Sequence, residues 1–336
     1  MHSRKLSLAF LAATVLLGMI LSFRLMRPVN PNISEGQQNT SSQFSNSLMT
    51  DDINVIKATV IYGSPYDDIY EKIKNAEATE EPVEANLPYF TPIGFSENEQ
   101  YTYDEFVKGV KAGKESVWVP IRVDTERITP IAETMYMAPD IIGLDREVGF
   151  DVKSDGSSYV IFPPYCVGTP DELKEMEREM AEVAEEVYRI ADSLHMTETI
   201  RDYSDFVCLW LAANCQYSPR EEYSANDRTA YGALIQHEAV CVGYVNAYQY
   251  LMGYAGYETA LVRGMYQGEG EDDVGNHAWA AYHDGDTLVY CDPTYVASRK
   301  QNEVAKWDKL MYFTDLSDTP YTETAQLWFK PVGIIH

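Results

Sequence analysis

The stretch that decides the fold runs from His277 to Asp292 and reads HAWAAYHDGDTLVYCD. Mostly apolar segments flank the pair Asp284-Gly285, a strong signal for two antiparallel strands joined by a two-residue type I′ turn. With these two residues at the centre of the turn, His277 faces Asp292 on the neighbouring strand. Facing residues have Cβ atoms about 4.5 to 5.5 Å apart. We therefore expect an imidazole and a carboxylate side by side on one face of a sheet.

This pairing predicts a chemical role for the histidine. A carboxylate beside an imidazole fixes the tautomer of the ring and raises its basicity. Trp279 is expected to face Tyr290 on the same side of the sheet, and Pro293 ends the strand because proline lacks a backbone donor. Cys291, next to Asp292, is expected to point to the opposite face and pack in the core.

A nucleophile for such a histidine lies upstream, where Cys241 precedes the helical run VGYVNAYQYLMGYAG. Unpaired backbone N–H groups and the helix dipole stabilise a thiolate at a helix start. Gly243 lets the neighbouring backbone pack closely, and the amide of Cys241 is a candidate oxyanion donor. A thiolate, a proton carrier and an orienting acid are the groups that acyl transfer through a covalent intermediate requires.

Further elements are predicted on both sides of Cys241. Thr169 and Glu172 form a capping box that opens a long amphipathic helix, and a second helix is predicted over about Ile200 to Asn214. Three strands, TALVRGMY, HAWAAYH and DTLVYC, follow the cysteine helix. The preceding residues, 51–168, are typical of a small α+β region, in which the stretch from Ile128 to Pro164 is expected to hold short strands and turns.

Two segments, AVCVGYVNAYQYLMGYAGYETALVRG and NHAWAAYHDGDTLVYCDPTY, resemble the transglutaminase-like superfamily. In that family a Cys opens a helix, HAW opens one strand and DPT follows the next. The resemblance extends over residues 170–318. It implies a papain-like α+β fold, in which the helix that carries the cysteine packs on an antiparallel β-sheet.

The same resemblance assigns roles to residues. Cys241 becomes the nucleophile, His277 the general base and acid, and Asp292 the orienting residue. The second oxyanion donor stays open between Tyr217 and Gln236, and Trp279 is a supporting candidate. The chain departs from the family pattern before the cysteine: bacterial members commonly have glycine two residues before it, where this chain has alanine.

The amino-terminal residues predict a membrane anchor. Leu6 to Phe23 form an uncharged run of 18 residues with basic residues on both sides. At about 1.5 Å per residue this run is about 27 Å long, close to the hydrocarbon thickness of a bilayer. We expect an uncleaved single-pass anchor with the remainder outside the cell, and a cleaved signal peptide with secretion is the alternative. The expected organisation is an anchor at 1–28, a polar linker at 29–50, an α+β region at 51–168, a catalytic domain at 169–320 and a tail at 321–336.

Composition excludes several classes of function. The chain has 26 basic and 52 acidic residues, and because four of the bases lie in the acid-free first 28 residues, the rest carries 22 bases against 52 acids. A surface this negative repels nucleic acid and anionic lipid. Five cysteines are too few for a disulfide scaffold, and no CxxC or HExxH motif occurs. We expect no metal and no cofactor.

The sequence therefore predicts an exported thiol enzyme that acts on peptide or glutamine amide bonds. Hydrolysis and transfer to a second amine both remain open. The acidic run from Glu269 to Asp273 lies just before His277 and favours cationic peptide substrates or amine acceptors. The alternative is a non-catalytic surface binding module that keeps the fold and holds a partner in its cleft.

Overall fold

The computed structural model describes most of the chain after residue 64. Its described residues are 65–76, 87–144, 149–153, 156–163, 165, 169–218, 224–267, 274–301, 312–317 and 319–332. The predicted anchor Leu6 to Phe23 and the linker 29–50 lie outside them. Within the described part, no helix is both long enough and apolar enough to cross a membrane.

Helices and short strands alternate along the described residues, and the longer strands lie in the carboxyl-terminal half. The helices are α1 Pro65–Lys74, α2 Glu97–Lys111, α3 Thr125–Tyr136, α4 Pro170–Ser193, α5 Ile200–Asn214, α6 Ala230–Leu234, α7 Cys241–Tyr254 and α8 Pro293–Gln301. The strands are β1 Tyr89–Pro92, β2 Val117–Pro120, β3 Gly149–Val152, β4 Ser158–Phe162, β5 Gln216–Tyr217, β6 Glu238–Ala239, β7 Thr259–Gln267, β8 Val274–Asp284, β9 Thr287–Cys291, β10 Tyr312–Phe313 and β11 Tyr321–Val332.

The smaller of two compact units comprises residues 95–136 and, of the described residues, those between 143 and 173. Its sheet has the antiparallel order β2-β4-β3, and α2 packs against β2 and α3. Helix α2 begins at a capping box, because the hydroxyl of Ser96 accepts from the amide of Glu99 and the Glu99 carboxylate accepts from the amide of Ser96. The unit is a small α+β body, as the sequence predicts.

Helix α3 corrects the prediction of short strands and turns from Ile128 onward. Pro130 lies inside this helix, although an internal proline usually breaks one. The helix nevertheless forms, and its buried side chains recur at steps of three and four residues, the spacing of one helical face. These are Ile128, Ile131, Ala132 and Met135.

The larger unit is built on a six-stranded antiparallel sheet of order β1-β11-β7-β8-β9-β10. Helix α7 packs on β7 and β8, and α5 packs on α7. The helices of these layers bury large side chains completely, among them Phe206, Leu209, Tyr248 and Leu251. This is the predicted α+β arrangement, with the cysteine-bearing helix on an antiparallel sheet.

The hairpin of β8 and β9 forms, but the predicted register is wrong. Asp284 pairs with Thr287, so the turn residues are Gly285 and Asp286. Gly285 has φ of +59° and occupies the first turn position, which is the glycine position of a type II′ turn rather than type I′. Tyr290 consequently faces Ala281 and not Trp279 as predicted.

The helices around the cysteine agree with the sequence. The amide of Glu172 donates to the hydroxyl of Thr169 over 3.2 Å at the start of α4. Helices α5 and α7 begin at the predicted residues, Ile200 and Cys241. Side-chain caps at Thr169 and Thr199 mark the starts of α4 and α5, whereas Val240 caps α7 without a side-chain hydrogen bond.

The units divide the chain differently from the predicted domains. Of the described residues, 65–94, 137–142 and 174–332 belong to the larger unit, so part of the region predicted as amino-terminal lies with the site. Residues 321–332, predicted to lie in a tail, form strand β11 between β1 and β7. No chemical motif marks this segment, and its place in the fold comes from sheet pairing.

Candidate active site

Cys241 is the first residue of α7 and is partly exposed. The preceding residue, Val240, is the N-cap, and its backbone amide donates to the carbonyl of Asp227 over 2.8 Å. Gly243 makes the close approach possible: a Cβ at this position would lie 2.4 Å from the Asp227 carbonyl oxygen and 2.9 Å from the Cβ of Ala239. The helix start is thus fixed against the preceding loop.

The loop before Cys241 is organised by Asp227, which is fully buried. The Asp227 carboxylate accepts from the hydroxyl of Ser218 over 3.1 Å and from the amide and hydroxyl of Ser224 over 2.9 and 2.7 Å. Ala239, at the position where the family commonly has glycine, lies in β6. In the segment before Cys241, the residue with a left-handed backbone conformation is instead His237, with φ of +59°.

His277 and Asp292 meet on one sheet face, although the register differs from the predicted one. The observed register moves each facing residue by two positions, so the side chains stay on their predicted faces. Nε2 of His277 lies 2.7 Å from Oδ2 of Asp292. The His277 side chain is 14% exposed and that of Asp292 is 1% exposed. Asp292 also accepts at Oδ1 from the amide of Tyr295 over 3.1 Å, so it caps α8 as well as holding the imidazole.

The electrostatics of these three residues favour an ion pair between sulfur and imidazole. Burial raises the pKa of the Cys241 thiol, but the hydrogen bond and charge of His277 outweigh it and leave that pKa below the ordinary value. Burial lowers the pKa of His277, yet the charge and hydrogen bond of Asp292 raise it overall to about 10. The pKa of Asp292 is lowered, because the charge and hydrogen bond of His277 offset its burial.

Two further groups act on the sulfur. The backbone amide of Ala278 donates to it, and the charge of Arg228 also lowers its pKa. Because Nε2 of His277 faces Asp292, Nδ1 is the ring nitrogen left for the sulfur. A thiolate beside an imidazolium is the form in which a cysteine attacks carbonyl carbon.

Aromatic rings enclose the imidazole. Trp279 stacks at 6.2 Å between ring centroids, and Tyr266 and Tyr321 lie at 6.0 and 5.9 Å. Trp279 is fully buried, and its indole N–H has no hydrogen-bond partner among the described residues. The rings restrict the access of water to the His277–Asp292 pair, which strengthens the interaction of its charges.

The opposite sheet face holds Cys291, as predicted. Its sulfur lies 3.1 Å from that of Cys208 on α5, and both cysteines are fully buried. Neither is bridged in this structure, and Cys208 is not paired with Cys215. Desolvation raises the pKa of Cys208, so this thiol is chemically quiet compared with that of Cys241.

The remaining predicted site residues lie in different places. Tyr217 is 37% exposed in β5, which pairs in parallel with β6 so that Tyr217 faces Ala239, two residues before the cysteine. Gln236 lies exposed in the turn before β6. The acidic run from Glu269 to Asp273 lies outside the described residues. No group of metal-ligating side chains occurs within the described part of the chain.

Two residues that contribute to the site, Asp227 and Tyr321, were missed in the sequence. Asp227 has only a short polar stretch around it, and its role depends on the loop that it organises. Tyr321 donates from its hydroxyl to Oδ2 of Asp292 over 2.7 Å, but lies in the segment predicted as a tail. No local pattern links position 321 to position 292; only the strand order of the sheet does.

Residues 182–293 match the model of the transglutaminase-like superfamily. The matched stretch contains Cys241, His277 and Asp292 and ends before β10 and β11. Among curated proteins, none matches this chain significantly.

Solved structures give remote likenesses. A TGase structure is 14% identical with a TM-score of 0.30, covering 53% of this chain and 51% of its own. This chain therefore spans about half the length of that TGase. A proposed cysteine protease from Cytophaga hutchinsonii is 11% identical with a TM-score of 0.24, covering 57% of this chain and 78% of its own.

Proposed function

We propose that this protein is a cysteine-dependent acyl-transfer enzyme that acts on amide bonds through a covalent thioester. The observation that carries the proposal is the 2.7 Å hydrogen bond from His277 to the buried Asp292, on the ring whose other nitrogen is left for Cys241. Burial of a carboxylate, an imidazolium and a thiolate together costs free energy of desolvation. Groups perturbed in this way cluster at functional sites. The match of residues 182–293 supports the same chemistry.

The proposed reaction has two halves. The Cys241 thiolate attacks the amide carbonyl carbon, and the resulting oxyanion accepts a hydrogen bond from the backbone amide at the start of α7. Nδ1 of His277 then gives its proton to the nitrogen of the leaving amine, and the C–N bond breaks to leave a thioester. Water or a second amine attacks the thioester, His277 takes up its proton, and the thiolate leaves.

We propose that the substrates are peptides or proteins with cationic or amine groups, since the chain carries twice as many acidic as basic residues. We also propose that the enzyme works outside the cell, held by Leu6 to Phe23, because that run is long enough to cross a bilayer. Digestion of intact cells by an added protease tests this placement: a chain that stays whole contradicts it.

Selective alkylation of Cys241 tests the proposed function. Iodoacetamide should label Cys241 with a midpoint below the ordinary thiol pKa of about 8.5. Cys215 is the matched control, because burial raises the pKa of its thiol to about 12 and it should stay unlabelled in the folded protein. Mass spectrometry of the separate peptides measures the labelling of Cys241 and of Cys215, and Cys241→Ser serves as the blank.

Labelling of Cys241 only above pH about 8.5 would instead support the non-catalytic binding module. A second arm uses peptide and primary-amine libraries: loss of ammonia or chain cleavage indicates hydrolysis, and gain of amine mass indicates transfer. Equal turnover of acidic and basic peptides of matched sequence would remove the proposed preference for cations.

A further inference from the structure

Tyr321 reaches the Asp292–His277 pair from a strand that is not adjacent to either residue. It opens β11 and pairs with Tyr266 on β7, so β7 separates it from His277 on β8. Its ring nevertheless lies 5.9 Å from the imidazole and 5.0 Å from the indole of Trp279, measured between centroids. The side chain therefore crosses one whole strand to reach the site.

A glycine on the intervening strand permits this crossing. Gly264 on β7 pairs with His277, and a Cβ there would lie 2.6 Å from Cη2 of Trp279 and 2.0 Å from the carbonyl oxygen of Thr322. The Trp279 ring thus fills the space above Gly264, and the Tyr321 ring packs edge-on against it. Phe313 stacks on the same tyrosine at 5.1 Å, so its ring is held in place.

The hydroxyl of Tyr321 is bonded to the atom that also receives the imidazole. It donates to Oδ2 of Asp292 over 2.7 Å, and Nε2 of His277 lies 2.7 Å from the same oxygen. The other oxygen, Oδ1, accepts from the amide of Tyr295 over 3.1 Å. Tyr321 is 8% exposed and Asp292 is 1% exposed, so water does not compete for these bonds.

We propose that Tyr321 is a positioning residue, whose hydroxyl fixes the Asp292 carboxylate so that Oδ2 faces the His277 imidazole. Without the hydroxyl, the imidazole itself is the remaining partner of Oδ2, the amide of Tyr295 holds Oδ1, and the carboxylate can turn about its Cβ–Cγ bond. A turned carboxylate makes a longer hydrogen bond to Nε2 and stabilises the imidazolium less. The purpose of this device rests on the proposed function, but its effect on the imidazole does not.

The test measures the ionisation of His277 directly. The titratable groups around its ring are Cys241 on α7, Tyr266 on β7, Asp292 after β9 and Tyr321 on β11. Histidines labelled with ¹³C at Cε1 are titrated by NMR in the full chain, and the His277 signal is assigned from its loss in His277→Gln. Tyr321→Phe should lower the pKa of His277 by about one unit, a tenfold loss in proton affinity.

Tyr290→Phe is the matched control. It removes a tyrosine hydroxyl two residues before Asp292 that donates instead to Glu323 over 3.0 Å, and the His277 titration should not move. An unchanged pKa in a folded Tyr321→Phe overturns the proposal, as does an equal shift in Tyr290→Phe. In Tyr321→Phe the pH midpoint of Cys241 alkylation should also rise, because an imidazole that is protonated less readily stabilises the thiolate less.

The proposed function can fail without this inference failing. If Cys241 is inert in the wild type but the His277 titration still moves in Tyr321→Phe, the positioning stands and the enzyme proposal falls. If Tyr321→Phe does not fold, the wild type carries the test, since the buried hydroxyl proton of Tyr321 should show a nuclear Overhauser contact with the Nε2 proton of His277. Absence of that contact in folded protein contradicts the proposal.

Discussion

The pKa of Cys241 is lowered and that of His277 is raised, and these opposite shifts couple the site to the stability of the fold. In the folded protein one proton is shared by the pair and resides on the imidazole. In the unfolded chain the thiol keeps its proton up to about pH 8.5 and the imidazole loses its proton above about pH 6.5. Above the lowered pKa of the folded Cys241 thiol, and up to the pKa of the unfolded thiol, both states bind one proton at the two groups, so their contributions to the pH dependence of folding cancel.

Removal of the thiol should expose the contribution of the histidine. The charge and hydrogen bond of Asp292 keep the folded pKa of His277 above its unfolded value in Cys241→Ala, although below the wild-type value of about 10, because the sulfur no longer raises it. Its stabilisation is complete below about pH 6.5 and is lost as pH rises through the folded pKa. In Cys241→Ala the free energy of unfolding should therefore fall across this window by up to about 1.4 kcal/mol per pH unit. Urea unfolding between pH 6.5 and 9 compares the variant with the nearly flat wild type.

Cys241→Ala combined with His277→Gln is the control, since it has no imidazole to titrate and should lose the additional slope. If Cys241→Ala showed the same pH dependence as the wild type, the paired ionisation of these residues would be contradicted.

At the level of elements, the start of α7 depends on contact with the loop that holds Asp227. Gly243→Ala should destabilise the protein by about 1 to 3 kcal/mol, because its Cβ would meet the Asp227 carbonyl oxygen, a backbone atom that cannot swing away. Helix propensity works in the opposite direction, by up to about 1 kcal/mol in favour of alanine. A net loss in urea unfolding therefore reports the clash.

The same substitution should slow alkylation of Cys241, since the helix must shift to relieve the contact. Val242→Ala is the matched control: it alters the neighbouring, partly exposed residue without adding an atom, and should leave the alkylation rate near that of the wild type. Equal stability of Gly243→Ala and the wild type would show that the loop adjusts freely.

The sequence predicted these elements well where the signals were local. The cap at Thr169, the helix start at Cys241 and the strands around His277 follow from spacing and turn residues. The hairpin register did not, because Asp284-Gly285-Asp286 allows glycine at either turn position and only the packing of both strands selects one. The contact between His277 and Asp292 survived although the two residues do not face each other directly, since a register shift of two residues keeps both side chains on one face.

At the scale of the whole molecule, the sheet needs strands from both sides of the matched stretch. Residues 182–293 lack β1, β10 and β11, and without β11 the nine residues of β7 have an unpaired edge. A fragment of these residues should show no cooperative urea unfolding by circular dichroism. The fragment 174–332, which restores β10 and β11, should unfold cooperatively.

A cooperative transition in the shorter fragment would show that β11 is dispensable for the core. The contribution of β11 could not be read from the sequence, because its side chains alternate only weakly between buried and exposed and it carries no catalytic motif. Strand order is a non-local property, set by which edges remain to be paired after the hairpin has formed.

The position of β11 in the sheet also has a consequence for synthesis. The ribosome releases β7, Cys241 and His277 before β11, and at roughly 5 to 20 residues per second the wait lasts on the order of seconds. During that time β7 offers an open edge to any other strand. A nascent chain of this protein should therefore depend on a holding chaperone until its last strand arrives.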